Sequence, residues 1–336
     1  MITDHPPAVR VRVETPAKVN LLLGVGPTRA DGFHELATLF YALDLTDTLD
    51  AVVRPDPGDG APGPVALTVR TRQGPDHERL PTDERNLAVA ACLLLQRTYG
   101  VLNGIDLTLE KEIPVSAGLA GGSADAAAAL VAANHVWQLG LDSVELASLG
   151  AQLGSDVPFA LTGGAAVGHG RGERITPVPA GGHRDFVLVC ADQGLSTPAV
   201  YREFDRMRAD GSAPPGAREV PDRLLTALAE GDVAGIAATV HNDLQQAAVA
   251  LRPELGEILR DGLAAGARAA MVSGSGPTCV LLADDHEHAE VLCAAMSERS
   301  HPGSIVTAVG GPSPGARITG SVPDGSISEQ PTTETN

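Results

Sequence analysis

An α+β fold is what this sequence predicts, and three observations carry the prediction. The second half reads in order as strand, helices, strand, strand, helix, strand, which is the ferredoxin-like split βαβ arrangement with extra helices. The first half mixes alternating and continuous apolar strands with one long alanine-rich helix. A loop of small residues, 113–126, lies at a strand-to-helix junction. At 336 residues the chain suits one large domain or two of ordinary size.

Each element has a local reason. Residues 9–14 (VRVRVE) alternate with period two and predict an edge strand, while VNLLLGV (19–25) is a continuous apolar run stopped by Gly26 and Pro27. DTLDAVVR (47–54) and VALTVR (65–70) predict two more strands, separated by 55–64, where nine of ten residues are Pro, Gly or Asp. A helix is expected over 86–99 with its stop at Gly100, then a strand over 105–113 and the strongest helix over 124–140. Asp142 and Glu145 are spaced as a capping box for a helix over 143–153. Further on come a strand (186–191), helices over 222–231 (with Asp222 as N-cap and Gly231 as stop) and 254–266, and strands on either side of a Gly-Ser-Gly-Pro turn. A helix over 286–299 and a strand over 304–309 close the pattern, with 210–221 as an insertion loop. From Gly310 onward 17 of 27 residues are Gly, Pro, Ser or Thr, so 313–336 is expected to be a disordered tail.

Composition excludes several classes. Hydrophobic residues are 43% and charged residues 20%, which is globular usage. Asp and Glu outnumber Lys and Arg by 42 to 24, and the net charge of −18 repels a polyanion, so no nucleic-acid partner is expected. No apolar run reaches the roughly 18 residues of a membrane span. The first sixteen residues show neither a cationic start nor an apolar block, so a secretory signal is not expected and a cytoplasmic protein is. Cys92, Cys190, Cys279 and Cys293 form no CxxC pair or zinc-like cluster and read as small buried hydrophobes. Aromatics are only 3%, so the core must close by backbones approaching over Ala and Gly.

Four segments carry chemistry. I-P-V-S-A-G-L-A-G-G-S-A-D-A (113–126) leads straight into a helix, and small residues there let the backbone wrap a ligand in front of unpaired helix N–H groups. It is an anion site suited to phosphates or a flexible linker; it is not a P-loop, because no Lys follows the glycines, and not a dinucleotide fingerprint, because GxGxxG is absent. Positive charge must then come from elsewhere, and Lys18 in T-P-A-K-V-N-L (15–21) is the candidate, though alone it also fits a snorkelling surface lysine. M-V-S-G-S-G-P-T (271–278) taken alone is a hairpin turn. L-G-S-D-V-P-F (153–159) sets Asp156 among apolar neighbours, a setting that should limit water around its carboxylate, or else simply forms a turn.

These segments, in this order and spanning residues 16 to 278, resemble the GHMP kinase superfamily. Within it, A-D-G-F-H-E-L-A-T-L-F (30–40) and E-R-N-L-A-V-A-A (84–91) are similar to the branch that phosphorylates the 2-hydroxyl of a cytidine-diphosphate-linked sugar alcohol in non-mevalonate isoprenoid precursor synthesis. The resemblance implies a two-domain α+β architecture: an N-terminal domain over 1–175 and a ferredoxin-like one over 176–312, with the active site in the cleft between. It implies Lys18 and Asp156 as the catalytic pair. Asn86 and the loop Pro114, Val115, Ser116, Ala117, Gly118, Leu119, Ala120, Gly121, Gly122, Ser123 and Ala124 would hold ATP. Asn20, Phe33, His34 and Tyr201 would line the cytidine-bearing substrate, with Gly274, Ser275 and Gly276 as a site loop. ATP and Mg2+ are the implied cofactors, and a monomer or homodimer the implied assembly. Two positions depart from the family's usual pattern: Phe33 stands where a Tyr is common, and Ala124 follows Ser123 where a second Ser is common. The alternatives are a homoserine- or mevalonate-type kinase, which the Phe33–His34 segment disfavours, and a silent nucleotide-binding regulator, which the presence of both Lys18 and Asp156 disfavours.

Overall fold

The computed structural model describes residues 9–71, 80–191, 194–212, 216, 219–301 and 303–323. The first eight residues, parts of the expected 210–221 insertion loop and the chain beyond 323 lie outside the described residues.

The first unit runs β1 (Val9–Thr28), β2 (His34–Arg54), β3 (Val65–Thr71), α1 (Leu87–Tyr99), β4 (Gly104–Lys111), α2 (Gly121–Val136), α3 (Ser143–Leu153), α4 (Val157–Thr162), β5 (Ala165–Gly170) and β6 (Arg174–Val178). The second runs β7 (Arg184–Cys190), α5 (Thr197–Ala209), α6 (Asp222–Glu230), α7 (Val233–Ala237), β8 (His241–Asn242), α8 (Gln245–Leu251), α9 (Pro253–Ala264), β9 (Ala269–Val272), β10 (Cys279–Leu282), α10 (His286–Arg299), β11 (Ile305–Gly311) and β12 (Arg317–Pro323). Strands β12, β1, β2, β4 and β3 lie side by side in one sheet, with β5 and β8 added on β2 and β1 and with β6 on β5. The second sheet has the order β11-β7-β10-β9, and its neighbours are antiparallel, as the ferredoxin-like reading requires.

The two predicted strands at the start are one bulged strand. Register shifts between Pro16 and Lys18 and between Asn20 and Leu22 bracket the cavity-facing residues. Bulges re-aim side chains. Here Ala17, Val19 and Leu21 enter the core while Lys18 and Asn20 share the opposite face. The α2 helix packs as its composition demands: Ala126 to Ala129, Ala132 and Ala133 are all buried, so its backbone lies close against α1 and β1. A common core joins the sheets, with Leu21, Leu39 and Tyr41 packed with Phe186, Leu188 and Val280, and the Tyr41 and Phe186 rings meet edge-on at 5.6 Å.

Four expectations need correction. Residues 9–14 are not an edge, because β12 pairs with β1 on the side away from β2. The same pairing overturns the disordered tail for 313–323. Ser313 bonds Ala42 and Gly164 through the backbone, Ala316 donates to the Ala160 carbonyl at 2.8 Å, and Arg317 pairs with Glu14 at 2.8 Å. A strand needs only a backbone partner and some alternation, and R-I-T-G-S-V supplies both despite its polarity. The boundary drawn at 175 falls inside β6, which belongs to the first sheet. Finally, Pro221 and not Asp222 caps α6, since Pro cannot donate and sits naturally ahead of the first turn. Three cysteines are buried and Cys293 is half-buried. Among the described residues no helix is long and apolar enough to cross a membrane.

Candidate active site

A cavity of about 830 Å³ opens where the β4–α2 loop, the bulged part of β1, the N-terminal end of α4 and the β9–β10 loop converge. Its wall brings together Lys18, Asn20, Phe33, His34, Asn86, Pro114 to Ser123, Asp156, Tyr201, Gly274 and Ser275. Two predicted residues stay out of it. Ala124, the fourth residue of α2, is fully buried in the core, and Gly276 packs behind Gly118.

The glycine loop is a tight backbone construction. Ser116 and Ala120 hold φ values of +57° and +60°, and Gly118 holds +79°. A Cβ on Gly118 would come within 2.6 Å of the Gly276 carbonyl, so glycine is required for both conformation and space. Ala120 caps α2 without any side-chain hydrogen bond. The amides of Gly121, Gly122 and Ser123 have no carbonyl one turn back, and with the helix dipole they form an anion-accepting end that lines the cavity. Gly121 and Gly122 are not at positive φ, and only Gly121 is crowded: a Cβ there would meet Lys111 Nζ at 3.1 Å.

Lys18 and Asp156, 138 positions apart in the chain, meet here. Lys18 is buried. Its Nζ donates to Asn20 Oδ1 at 2.8 Å and lies 3.5 Å from Asp156 Oδ2. Asn20 in turn donates to Thr38 Oγ1 at 2.8 Å, which fixes the amide with its oxygen toward the lysine. The Lys18 amide donates to the Leu119 carbonyl at 3.1 Å, tying β1 to the glycine loop. Asp156 occupies the N-cap position of α4 but makes no capping bond, and its side chain is 30% exposed. The expected shielding from water is thus not found: the V-P-F that follows turns inward, while the carboxylate faces the cavity.

At the other end, His34 Nε2 lies 2.9 Å from Asp205 Oδ1, and the ring stacks on Tyr201 at 5.1 Å. Burial pushes the Tyr201 phenol above its ordinary pKa. Phe33 is 51% exposed, with the Arg171 guanidinium 5.1 Å over its ring. Asn86 spends its amide on the fold, accepting from the Ala88 amide and donating to the Pro81 carbonyl as the cap of α1.

Sequence reasoning missed three parts. Beneath the glycine loop, Lys111 is buried between Asp47 and Asp125, bonding both oxygens of Asp125 at 3.0 and 2.9 Å and one of Asp47. Burial pushes the Asp125 carboxyl up, opposed by Lys111 and reinforced by Asp47. Burial works against the Lys111 ammonium, but the two carboxylates outweigh it and raise its pKa. A lone carboxylate inside an alanine helix was the readable signal. Asn242 on β8 donates to the Val272 and Gly274 carbonyls, both at 2.7 Å, and so holds the β9–β10 loop beside Lys18. Thr278 from the same loop donates to the Ala117 carbonyl at 2.7 Å.

Comparison with known proteins shows the family. Residues 86–164 match the GHMP kinases N terminal domain and 224–301 the GHMP kinases C terminal domain. A 4-diphosphocytidyl-2-C-methyl-D-erythritol kinase from Thermobifida fusca is 48% identical over 94% of this chain and 99% of its own length. One of the same name from Nocardia farcinica is 48% identical over 95% and 98%. A solved 4-(cytidine 5'-diphospho)-2C-methyl-D-erythritol kinase superposes with a TM-score of 0.68 at 34% identity, covering 89% of this chain and 99% of its own. The homoserine kinase from Cytophaga hutchinsonii shares the fold alone, with a TM-score of 0.69 at 20% identity over 92% of this chain and 97% of its own.

Proposed function

Because this chain belongs to the 4-diphosphocytidyl-2-C-methyl-D-erythritol kinase family of the GHMP kinases, which are ATP-dependent small-molecule kinases, we propose that it transfers the γ-phosphoryl of ATP to the 2-hydroxyl of 4-diphosphocytidyl-2-C-methyl-D-erythritol. The observation that carries the reading is the Lys18–Asp156 contact of 3.5 Å, set in one cavity with a glycine loop at a helix N-terminus.

Phosphoryl transfer asks for in-line positioning and charge neutralisation more than for covalent help. Asp156, whose carboxylate faces the cavity, takes the proton of the acceptor hydroxyl as general base. Lys18 keeps positive charge between that carboxylate and the transferring group. The amides of Gly121, Gly122 and Ser123 receive the β- and γ-phosphates, and the Asn20 amide, fixed by Thr38, sets the lysine's direction. His34, Tyr201 and Phe33 receive the cytosine, Phe33 by an open ring face. Among the described residues no group of three His, Cys, Asp or Glu side chains gathers as a metal cage. The Ser123 hydroxyl, on the cavity wall, would be the protein ligand of an Mg2+ brought in by ATP. When bound, that ion neutralises charge on the phosphate oxygens.

The first domain, up to about β6, and the second, over β7 to β11, would then hold nucleotide and acceptor between them. The protein would act in the cytoplasm on small molecules alone, as a monomer or homodimer. An ADP-release assay over a panel of acceptors tests the reading. The conjugate should be turned over, with homoserine, mevalonate and free methylerythritol near background. Equal rates on free methylerythritol would remove the cytidine recognition, and ATP binding with no acceptor phosphorylated would turn the assignment to a silent regulator.

A further inference from the structure

Asp156 is carried by α4, which has only six residues. A helix of that length has almost no stability of its own. Its place depends on what grips it. On one side Phe159 stacks on Phe40 at 4.9 Å, and Lys18 Nζ lies 5.5 Å from the same Phe40 ring. On the other side the grip comes from the far end of the chain. Ala316 donates to the Ala160 carbonyl at 2.8 Å, Gly164 donates to the Ser313 carbonyl at 2.7 Å, and Gly163 and Pro314 form a bridge. The approach is backbone on backbone. A Cβ on Gly315 would sit 2.2 Å from the Leu161 carbonyl oxygen, and one on Gly163 would sit 2.0 Å from the Gly315 nitrogen. Ser313 also donates to the Ala42 carbonyl at 3.1 Å, on the strand position opposite Lys18.

We propose that residues 313–316 are a positioning strap for Asp156, fixing α4 so that the carboxylate meets Lys18 and the acceptor hydroxyl. The inference rests on the reading of Asp156 as proton acceptor. The main grip of the strap is on α4 and the glycines that end it, and the Ser313 amide ties the same segment to Ala42 on β2. Because only glycine fits at 163 and 315, a single methyl group suffices to lift the strap without removing it.

The test uses Gly315→Ala in the full chain, a truncation after Pro312, and Arg317→Ala as a control that breaks only the outer pair with Glu14. Misplacing a catalytic group by an ångström costs up to about a hundredfold, so Gly315→Ala and the truncation should lose about ten- to a hundredfold in kcat while the KM for ATP changes less than about twofold. Arg317→Ala should keep its kcat. On an Asp156→Asn background, Gly315→Ala should cost less than about twofold more, because the group it positions is already gone. A Gly315→Ala protein with wild-type kcat overturns the strap, as does an equal loss on both backgrounds or a rise in the KM for ATP at constant kcat. Should the truncated chain not fold, Gly315→Ala decides alone, assayed well below its melting transition. Wild-type turnover in Asp156→Asn itself would instead overturn the general-base reading, so the two failures are separable.

Discussion

Two lysines line the same cavity and are buried to nearly the same degree, 6% exposed at Lys18 and 4% at Lys111, yet their surroundings are opposite. Lys111 has every proton engaged by Asp47 and Asp125. Lys18 makes one hydrogen bond, to Asn20, and one looser contact of 3.5 Å to Asp156. An ammonium has three donors. The first network is closed and stiffens the floor of the glycine loop; the second keeps capacity for an incoming phosphate or hydroxyl oxygen. Burial alone does not separate a structural lysine from a reactive one, whereas the count of engaged protons does.

The comparison breaks most visibly at the open pair. Asp156→Asn keeps the side chain's shape and removes the base, so turnover should fall about 10²–10⁴-fold. Lys18→Met should lose a comparable factor, and the double variant should fall far short of the product because the pair acts as a unit. Turnover of the four proteins decides it, and cleanly multiplying losses would mean that the two work separately. At the closed cluster the effect should appear in stability instead. Lys111→Met leaves two carboxylates buried without their counter-ion and should cost about 3–5 kcal/mol in a denaturant titration. An unchanged midpoint would show that the cluster is not what stiffens the floor.

Gly121 and Gly122 sharpen the contrast at intermediate size. A Cβ at 121 presses on Lys111 Nζ and on Ile113, whereas one at 122 finds only Leu87 at 3.7 Å. Gly121→Ala should therefore destabilise by about 1–3 kcal/mol through overpacking. Gly122→Ala should be neutral or slightly stabilising in melting experiments, as an alanine inside a helix usually is. Reversal of that order would place the pressure elsewhere in the loop.

The smallest effect is one of pH. The Asp125 carboxyl is raised in the fold, so only between the unfolded value and the raised folded one does the folded chain hold a proton that the unfolded chain has released. Stability contributed at low pH is then lost as pH rises from about 4 through the raised folded value. Asp125→Asn lacks that titration, so its stability deficit against the wild type should shrink as pH rises from about 4 toward 7. Parallel stability–pH curves for the two proteins would mean that Asp125 titrates normally.

How much of this was legible follows from how local each signal is. The Asp142–Glu145 capping box and the helix over 286–299 were read to the residue because their determinants lie within one turn. The segments around Lys18, the glycine loop, Asp156 and 271–278 were read because each sets small or polar residues at the end of a strand or helix. Their convergence came from resemblance, not from spacing. Lys111 escaped because its partners lie 64 and 14 positions away, and periodicity says nothing of such pairs. The strand at 317–323 escaped for the same reason on a larger scale, since its partner begins at Val9 and its composition reads as a loop. Ala124 belongs to the helix and not to the loop because α2 begins at Gly121, three residues before the expected start at 124, which turns Ala124 into the core.

The pairing of Val9 with Pro323 also bears on how the molecule is made. A ribosome delivers the first strand of the large sheet early and its outer neighbour last, with the whole second sheet between them. Until then β1 presents bare backbone along 10–14, and Arg10 and Arg12, both clamped on Asp50, stand guard on one face of that rim. Charged side chains on an open rim discourage association with other nascent chains. The first half of the chain thus completes its sheet border only with residues from the far end. Excised at the boundary between the two sheets, it would leave β1 unpaired along 10–14 and α4 without its contacts to 313–316.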